Sequence, residues 1–214
     1  MSALAFEERP AAGEAAGLLV LHHGRGADEH DLLSLADVLD PEQRLHVVTP
    51  RAPLTVPGWP GNHWYLVPRV GYPDADSFRA AHRRLATFHD EQWERTGTAP
   101  ENTVFGGFSM GSVMSYALGL DGSRPAPAGV LAFSGFVPTV DGWQPDVAGA
   151  AASGLRAFVA HGRNDPVMDV AFARRARDLL EAGAVPVEYH ESDAAHHIDP
   201  DHVPAAVQWL SATV

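Results

Sequence analysis

The residues best able to do chemistry in this sequence are one serine, a set of aspartates and a group of histidines, and their order points to acyl transfer. Gly107-Phe108-Ser109-Met110-Gly111 matches the pattern G-x-S-x-G. The pentapeptide alone is weak. It gains weight from standing between an apolar run, Thr103-Val104-Phe105, and a helical pattern through Val113, Met114, Ala117 and Leu118. A sharp strand-to-helix turn strains the serine backbone and lifts its hydroxyl above the sheet edge. Glycine at both ends avoids collision with the neighbouring strand and helix. Ser109 then sits at a helix N-terminus, where free N–H groups favour negative charge. The plain alternative is a serine that caps a helix after a glycine-rich turn.

A serine hydroxyl needs a base to take its proton. His161, His190, His196, His197 and His202 follow Ser109. His196 and His197 stand in a loop after the last expected strand, where an imidazole can swing over the nucleophile. His161 ends a strand before glycine and is expected to pack or hydrogen-bond there, and His202 opens the final helix. A third group must orient the imidazole. Asp165 is the best candidate, because it follows a strand in a turn made rigid by Pro166. Its rivals are Asp169, which reads as a helix cap, and the loop acids Asp193 and Asp199. Ser, then Asp, then His is the order expected of an α/β-hydrolase. Two N–H donors must hold the oxyanion. One is expected from Met110, the residue after the nucleophile. The other is expected from Arg25, in the turn His23-Gly24-Arg25-Gly26.

The elements that would position these groups alternate. Strand-sized apolar runs lie at 18–21, 45–48, 103–105, 129–133, 155–160 and 185–189. Helical patterns lie at 29–39, 77–95, from 110 onward, at 169–182 and at 201–210. Ser77 is expected to cap the second helix, and Phe78, His82, Leu85, Phe88 and Gln92 to form its buried face. Two stretches, 50–76 and 136–154, show no clear period. The first is dense in Pro, Gly and aromatics, and so long a structureless stretch is usually functional or mobile. Strands separated by helices imply a mostly parallel sheet covered on both faces, with ligands beyond the carboxyl ends of the strands.

Length and composition narrow the chemistry. The 214 residues suit one domain, expected to span 1–214. Acidic residues number 27 against 15 strong bases, a net charge of −12. That balance argues against nucleic acid or an anionic membrane as partner. Cysteine is absent, and every strong base is arginine. Thiolate nucleophiles, Cys-held metals, Schiff bases and Ser–Lys dyads are therefore excluded. No apolar run is long enough to cross a bilayer and no targeting segment is visible, so a soluble cytoplasmic protein is the expectation.

The chain resembles the phospholipase/carboxylesterase family of small serine α/β-hydrolases, which includes carboxylesterases and acyl-protein thioesterases. The resemblance rests on Leu21-His22-His23-Gly24-Arg25-Gly26-Ala27-Asp28, on Gly106 to Gly111, on Ser134-Gly135-Phe136, on His161 to Val167, and on Ala195-His196-His197-Ile198. It implies an α/β-hydrolase fold without a large cap domain, no metal or organic cofactor, and a triad of Ser109, Asp165 and His196. Aligning Ala195 and Ile198 with the family's base loop selects His196 over His197. Two positions depart from the pattern: Met110 stands where Gln is frequent, and Ala195 where Gly is usual.

By the same resemblance, the 50–76 stretch lies where the acyl pocket is lined. Trp64, Tyr65 and Leu66 are expected in its wall, with Phe136 and Met168 as further candidates. The expected substrate is a carboxylic ester with a small or medium apolar acyl or aryl group. Acyl-thioesters and lysophospholipids suit the same machinery. A zinc site built from His22-His23 and His196-His197, or a non-catalytic binding module on this fold, are the remaining alternatives. An exposed aromatic patch on the long loop could bury itself in a homodimer.

Overall fold

In the computed structural model, which describes residues 3–214, the chain builds one mostly parallel sheet with helices on both faces. Its strands are β1 (Phe6–Arg9), β2 (Gly17–His22), β3 (Leu45–Pro50), β4 (Thr103–Phe108), β5 (Gly129–Phe133), β6 (Arg156–Gly162) and β7 (Val187–Ser192). The helices are α1 (Leu33–Leu39), α2 (Ala75–Thr96), α3 (Met110–Gly119), α4 (Val147–Ala152), α5 (Ala171–Ala182) and α6 (Val203–Ser211). Strand order is β1-β3-β2-β4-β5-β6-β7, with only β1 antiparallel to its neighbour. No further domain is inserted between strands. The fold is that of an α/β-hydrolase.

The period of two along each strand decides the layering. In β2, Leu18 and Val20 face one side and pack with Phe78, Leu85 and Phe88 of α2 and with Val113 and Met114 of α3. Leu19 and Leu21 face the other side and pack with Ala36 and Leu39 of α1 and with Trp209 and Leu210 of α6. Helix α5 covers β5 and β6 on the α3 side through Ala173, Ala176 and Leu180. Both faces are therefore buried, which is why the inner strands read as unbroken apolar runs.

From β2 the chain moves outward to β3 and β1; from β4 it moves the other way to β5, β6 and β7. The crevice between the ends of β2 and β4 is the topological switch point, where ligands of such sheets bind.

Several boundaries differ from the sequence expectation, each for a local reason. Helix α1 begins four residues late. The Glu29 carbonyl accepts a hydrogen bond from Thr49 Oγ1 at 2.6 Å, and the Glu29 side chain is taken by Arg51. Helix α2 is capped by Asp74, whose carboxylate accepts from the Ser77 N–H at 3.0 Å; Ser77 lies inside the first turn. Strand β1 has the sequence Phe-Glu-Glu-Arg and gives no apolar run, as expected of a charged edge strand. Helix α4, Val-Ala-Gly-Ala-Ala-Ala, lies inside the stretch read as irregular and is fixed by Asp146 accepting from the Gly149 N–H.

A buried polar chain links the layers beneath the switch point. His22 Nδ1 lies 2.9 Å from Ser115 Oγ, and His22 Nε2 lies 3.1 Å from His89 Nε2. Ser115 Oγ donates to the Gly106 or Gly111 carbonyl. Its hydroxyl proton is thus spent, so it accepts from His22 Nδ1–H, and His22 Nε2 accepts from His89 Nε2–H. The remaining atom, His89 Nδ1, is buried without a partner. A proton added there has no acceptor.

Burial, with the nearby His23, pushes His22 from 6.5 down to about 3, and burial pushes His89 well down too. The unfolded chain therefore binds protons that the fold refuses. The stability that the neutral His22 ring represents is complete above 6.5 and is lost as pH falls through about 3; the neutral His89 ring acts in the same direction. Below 6.5 the unfolded chain binds these protons increasingly and the fold weakens with each pH unit. Thermal melts should show the transition falling steadily from about pH 6.5 to about pH 4.5. A transition temperature constant over that range contradicts the assignment.

Candidate active site

Ser109 stands between β4 and α3 with φ 55° and ψ −119°, a conformation that L side chains rarely adopt. Its N–H is held by the Phe133 carbonyl at 2.9 Å. Such a turn needs room on both sides. A Cβ on Gly107 would come within 2.6 Å of the Gly111 carbonyl carbon, and one on Gly111 within 1.9 Å of the His22 carbonyl oxygen. The two glycines of the pentapeptide thus permit the close approach of α3 to β2 and β4.

Asp165 and His196 arrive from the ends of β6 and β7. The Asp165 side chain accepts the N–H groups of Val167 and Met168 on Oδ1, each at 2.8 Å. Its Oδ2 faces His196 Nδ1 at 2.6 Å. His196 Nε2 lies 2.9 Å from Ser109 Oγ. Burial raises the Asp165 pKa, but the hydrogen bonds from His196, Met168 and Val167 outweigh it and hold the carboxyl below its ordinary value. An ionised Asp165 must accept from Nδ1–H, which leaves the Nε2 lone pair facing the serine hydroxyl. The His196 loop can cross the end of β6 because Gly162 has no side chain: a Cβ there would meet the Ala194 carbonyl oxygen at 2.2 Å. Phe108 packs against the His196 ring at 4.9 Å.

The rival residues are otherwise engaged. His161 Nε2 donates to the Met168 carbonyl at 2.8 Å and lies 3.4 Å from Asp165 Oδ2. His190 pairs with Glu188, and His197 is exposed. Asp169 and Asp199 accept local N–H groups, and Asp193 pairs with Arg163. The zinc alternative loses its ligands. His22 belongs to the buried chain under the sheet. His23 Nδ1 donates to the Gly24 carbonyl, and His23 Nε2 accepts from the Ala52 N–H.

Met110 is the first residue of α3, so its N–H has no acceptor within the helix. In the turn after β2, the Gly26 N–H bonds to the Asn62 carbonyl and the Ala27 N–H to the Gly24 carbonyl. The Arg25 N–H takes no part in that set. Both departures from the family pattern are accommodated. The Met110 sulfur accepts from the Trp64 N–H at 3.3 Å. Ala195 is exposed and its φ is not positive, so its methyl requires no strained backbone.

A cleft opens beside Ser109 and Met110. Tyr65, Phe136 and Met168 line it. Trp64 does not. Its ring is fully buried in the core between His22 and His23, and its Nε1–H donates to the His23 carbonyl. Leu66 is exposed and faces a neighbouring depression that shares Arg25, Tyr65 and Val67 with the cleft. Val67, Arg69, Val70, Tyr72 and Val167, which the sequence does not mark as pocket residues, also line the cleft. Arg69 and Tyr72 close a small hairpin inside the 50–76 stretch. That stretch is also pinned by the pairings of Ala27 with Asn62 and of Leu54 with His63.

Known proteins resemble this chain in sequence and fold. The family model described as Phospholipase/Carboxylesterase matches residues 7–214. Among curated relatives, MhqD of Bacillus subtilis is 24% identical over 202 residues, covering 94% of this chain and 96% of that protein. Acyl-protein thioesterase 1 of Debaryomyces hansenii is 27% identical over 157 residues, 69% of this chain and 66% of the yeast protein. Among solved structures, esterase PE8 superposes with a TM-score of 0.83 at 27% identity over the full length of both chains. The Bacillus cereus carboxylesterase gives 0.84 at 24% identity, covering 99% of this chain and 95% of its own. The chain belongs to the phospholipase/carboxylesterase family, a family of carboxylesterase- and thioesterase-type hydrolases.

Proposed function

We propose that the protein hydrolyses carboxylic esters through an acyl-enzyme on Ser109. The observation that carries this reading is the hydrogen-bonded series Asp165 Oδ2, His196 Nδ1, His196 Nε2, Ser109 Oγ, with spacings of 2.6 and 2.9 Å. The Ser109 oxygen attacks the ester carbonyl carbon while its proton passes to His196 Nε2. The carbonyl oxygen gains the negative charge and takes hydrogen bonds from the N–H groups of Arg25 and Met110. As the intermediate collapses, the bond to the alcohol oxygen breaks, and that oxygen leaves with the His196 proton. A water then gives its proton to His196 and attacks the acyl carbon. Ser109 departs, recovers the proton, and the acid is released. Throughout, Asp165 stabilises the imidazolium and keeps the ring in the productive tautomer.

The cleft is bounded mainly by apolar groups near the serine, including Phe136, Met168 and Val167. This favours a small or medium acyl or aryl group. The similarity to an acyl-protein thioesterase makes a thioester the natural competitor. A series of p-nitrophenyl esters of rising chain length, run beside an acyl-thioester and a lysophospholipid, tests the reading. The short and medium esters should turn over fastest. Turnover of the lysophospholipid or thioester alone contradicts the ester preference, and no turnover of any of them contradicts the function.

A further inference from the structure

We infer that the substrate carries an anionic group, a carboxylate or a phosphate ester, which Arg25 and Arg69 receive at the mouth of the cleft. This deepens the reading of Ser109 as an esterase nucleophile and rests on it. The chain as a whole is strongly acidic, with 27 acids against 15 arginines. The cleft reverses that sign. Arg25 and Arg69 are the charged residues of its wall, and no Asp or Glu lines it. The adjoining depression repeats the pattern, with Arg25 and no acid. Two positive charges in an acid-free cleft, on a surface of opposite net charge, focus anions toward the serine.

Neither arginine is already neutralised. Among the described residues no carboxylate lies within ion-pair distance of either guanidinium; elsewhere Arg9, Arg51, Arg124, Arg163 and Arg174 are all held by acids. Instead both lie on aromatic faces. The Arg25 guanidinium carbon is 3.9 Å from the centre of the Trp59 ring, and that of Arg69 is 3.6 Å from the centre of the Tyr72 ring. Trp59 and Tyr72 are themselves half exposed, at 55% and 53%. Stacking satisfies the flat face of a guanidinium and leaves its edge, where the N–H donors point, open to a ligand. That edge matches the paired oxygens of a carboxylate or phosphate. The apolar inner cleft then takes the body of the substrate, with its anionic end outward.

The test compares anionic esters with neutral counterparts of similar size, the methyl ester of each carboxylate and the dimethyl ester of the phosphate, with the spontaneous rate of each subtracted. One arm places the anion on the acyl side: the p-nitrophenyl half-ester of glutarate. Two arms place it on the alcohol side: para-butyryloxybenzoate for carboxylate, para-butyryloxyphenyl phosphate for phosphate. At least one anionic ester should exceed its neutral partner in kcat/KM by about tenfold or more at low salt. Raising salt from about 20 mM to about 500 mM should shrink that ratio several-fold. R69Q and R25Q should each lower it, because glutamine removes the guanidinium charge; R25Q retains the backbone N–H assigned to the oxyanion, so the ratio rather than the absolute rate is the readout. The arm that responds identifies the anion and its side of the scissile bond. Equal or slower turnover of every anionic ester overturns this inference while leaving the esterase reading intact. Failure to hydrolyse even the neutral partners contradicts the esterase reading instead.

Discussion

Replacing Ser109 by Ala should lower kcat/KM for p-nitrophenyl esters by about a thousandfold or more while leaving the protein folded. In the proposed mechanism the Ser109 oxygen is the atom that forms the covalent bond to the acyl group. Alanine removes one oxygen from a site that is mostly shielded by its neighbours. The Ser109 hydroxyl has His196 as its partner and holds no structural bond; the N–H that ties the turn to Phe133 is unchanged. Circular dichroism and thermal melting should therefore match the parent protein. Residual turnover should reflect binding and the proposed Arg25 and Met110 oxyanion donors. A variant that keeps a tenth of its activity or more places the nucleophile elsewhere.

The second large effect concerns a change of one atom type. Asp165→Asn should cost about ten-thousandfold in kcat with little change in structure. The reason lies in the donors around the carboxylate. Oδ1 accepts two backbone N–H groups, from Val167 and Met168. An asparagine must keep its oxygen on that side, because an amide NH2 there would face two donors. Its NH2 then faces His196 Nδ1, where the carboxylate oxygen Oδ2 stood. That nitrogen is forced to accept, so the ring proton moves to Nε2 and points at Ser109. A histidine in that tautomer cannot take the serine proton. His161 compounds the effect: its Nε2, 3.4 Å from Oδ2, is also a donor, committed to the Met168 carbonyl. Kinetics of the D165N protein check this. A loss below about tenfold means that Asp165 does not set the tautomer.

Part of the candidate site was legible from local signals, and the choice of His196 over His197 from the family resemblance. Gly107 and Gly111 mark a turn that only glycine admits, and Ser109 lies between them. Asp165 and His196 follow strands whose apolar runs are plain in the sequence. Their distance from Ser109 along the chain is irrelevant once the strands are parallel, since all their carboxyl ends share one rim. The layering was equally readable from the central strands, which are buried on both faces. Other features depend on contacts that no local pattern carries. Glu29 leaves the expected helix because Thr49 and Arg51, on and just beyond β3, claim its carbonyl and its carboxylate. Strand β1 is defined only by its register with β3 and has no hydrophobic signature of its own. Trp64 looked like a pocket aromatic. Its neighbours in space, His22, His23 and Met110, come from distant segments and enclose it. The stacking of Arg69 on Tyr72 is not legible in the sequence, because a three-residue separation in a loop without period gives no hint of a stacked pair.

The most direct test of the central claim is covalent labelling with a fluorophosphonate, followed by peptide mapping. The account predicts one phosphonyl group per chain, carried by the peptide containing Ser109, with loss of ester hydrolysis in proportion to labelling. An enzyme that hydrolyses esters yet remains unlabelled, or that carries the label on another residue while Ser109 stays free, contradicts it.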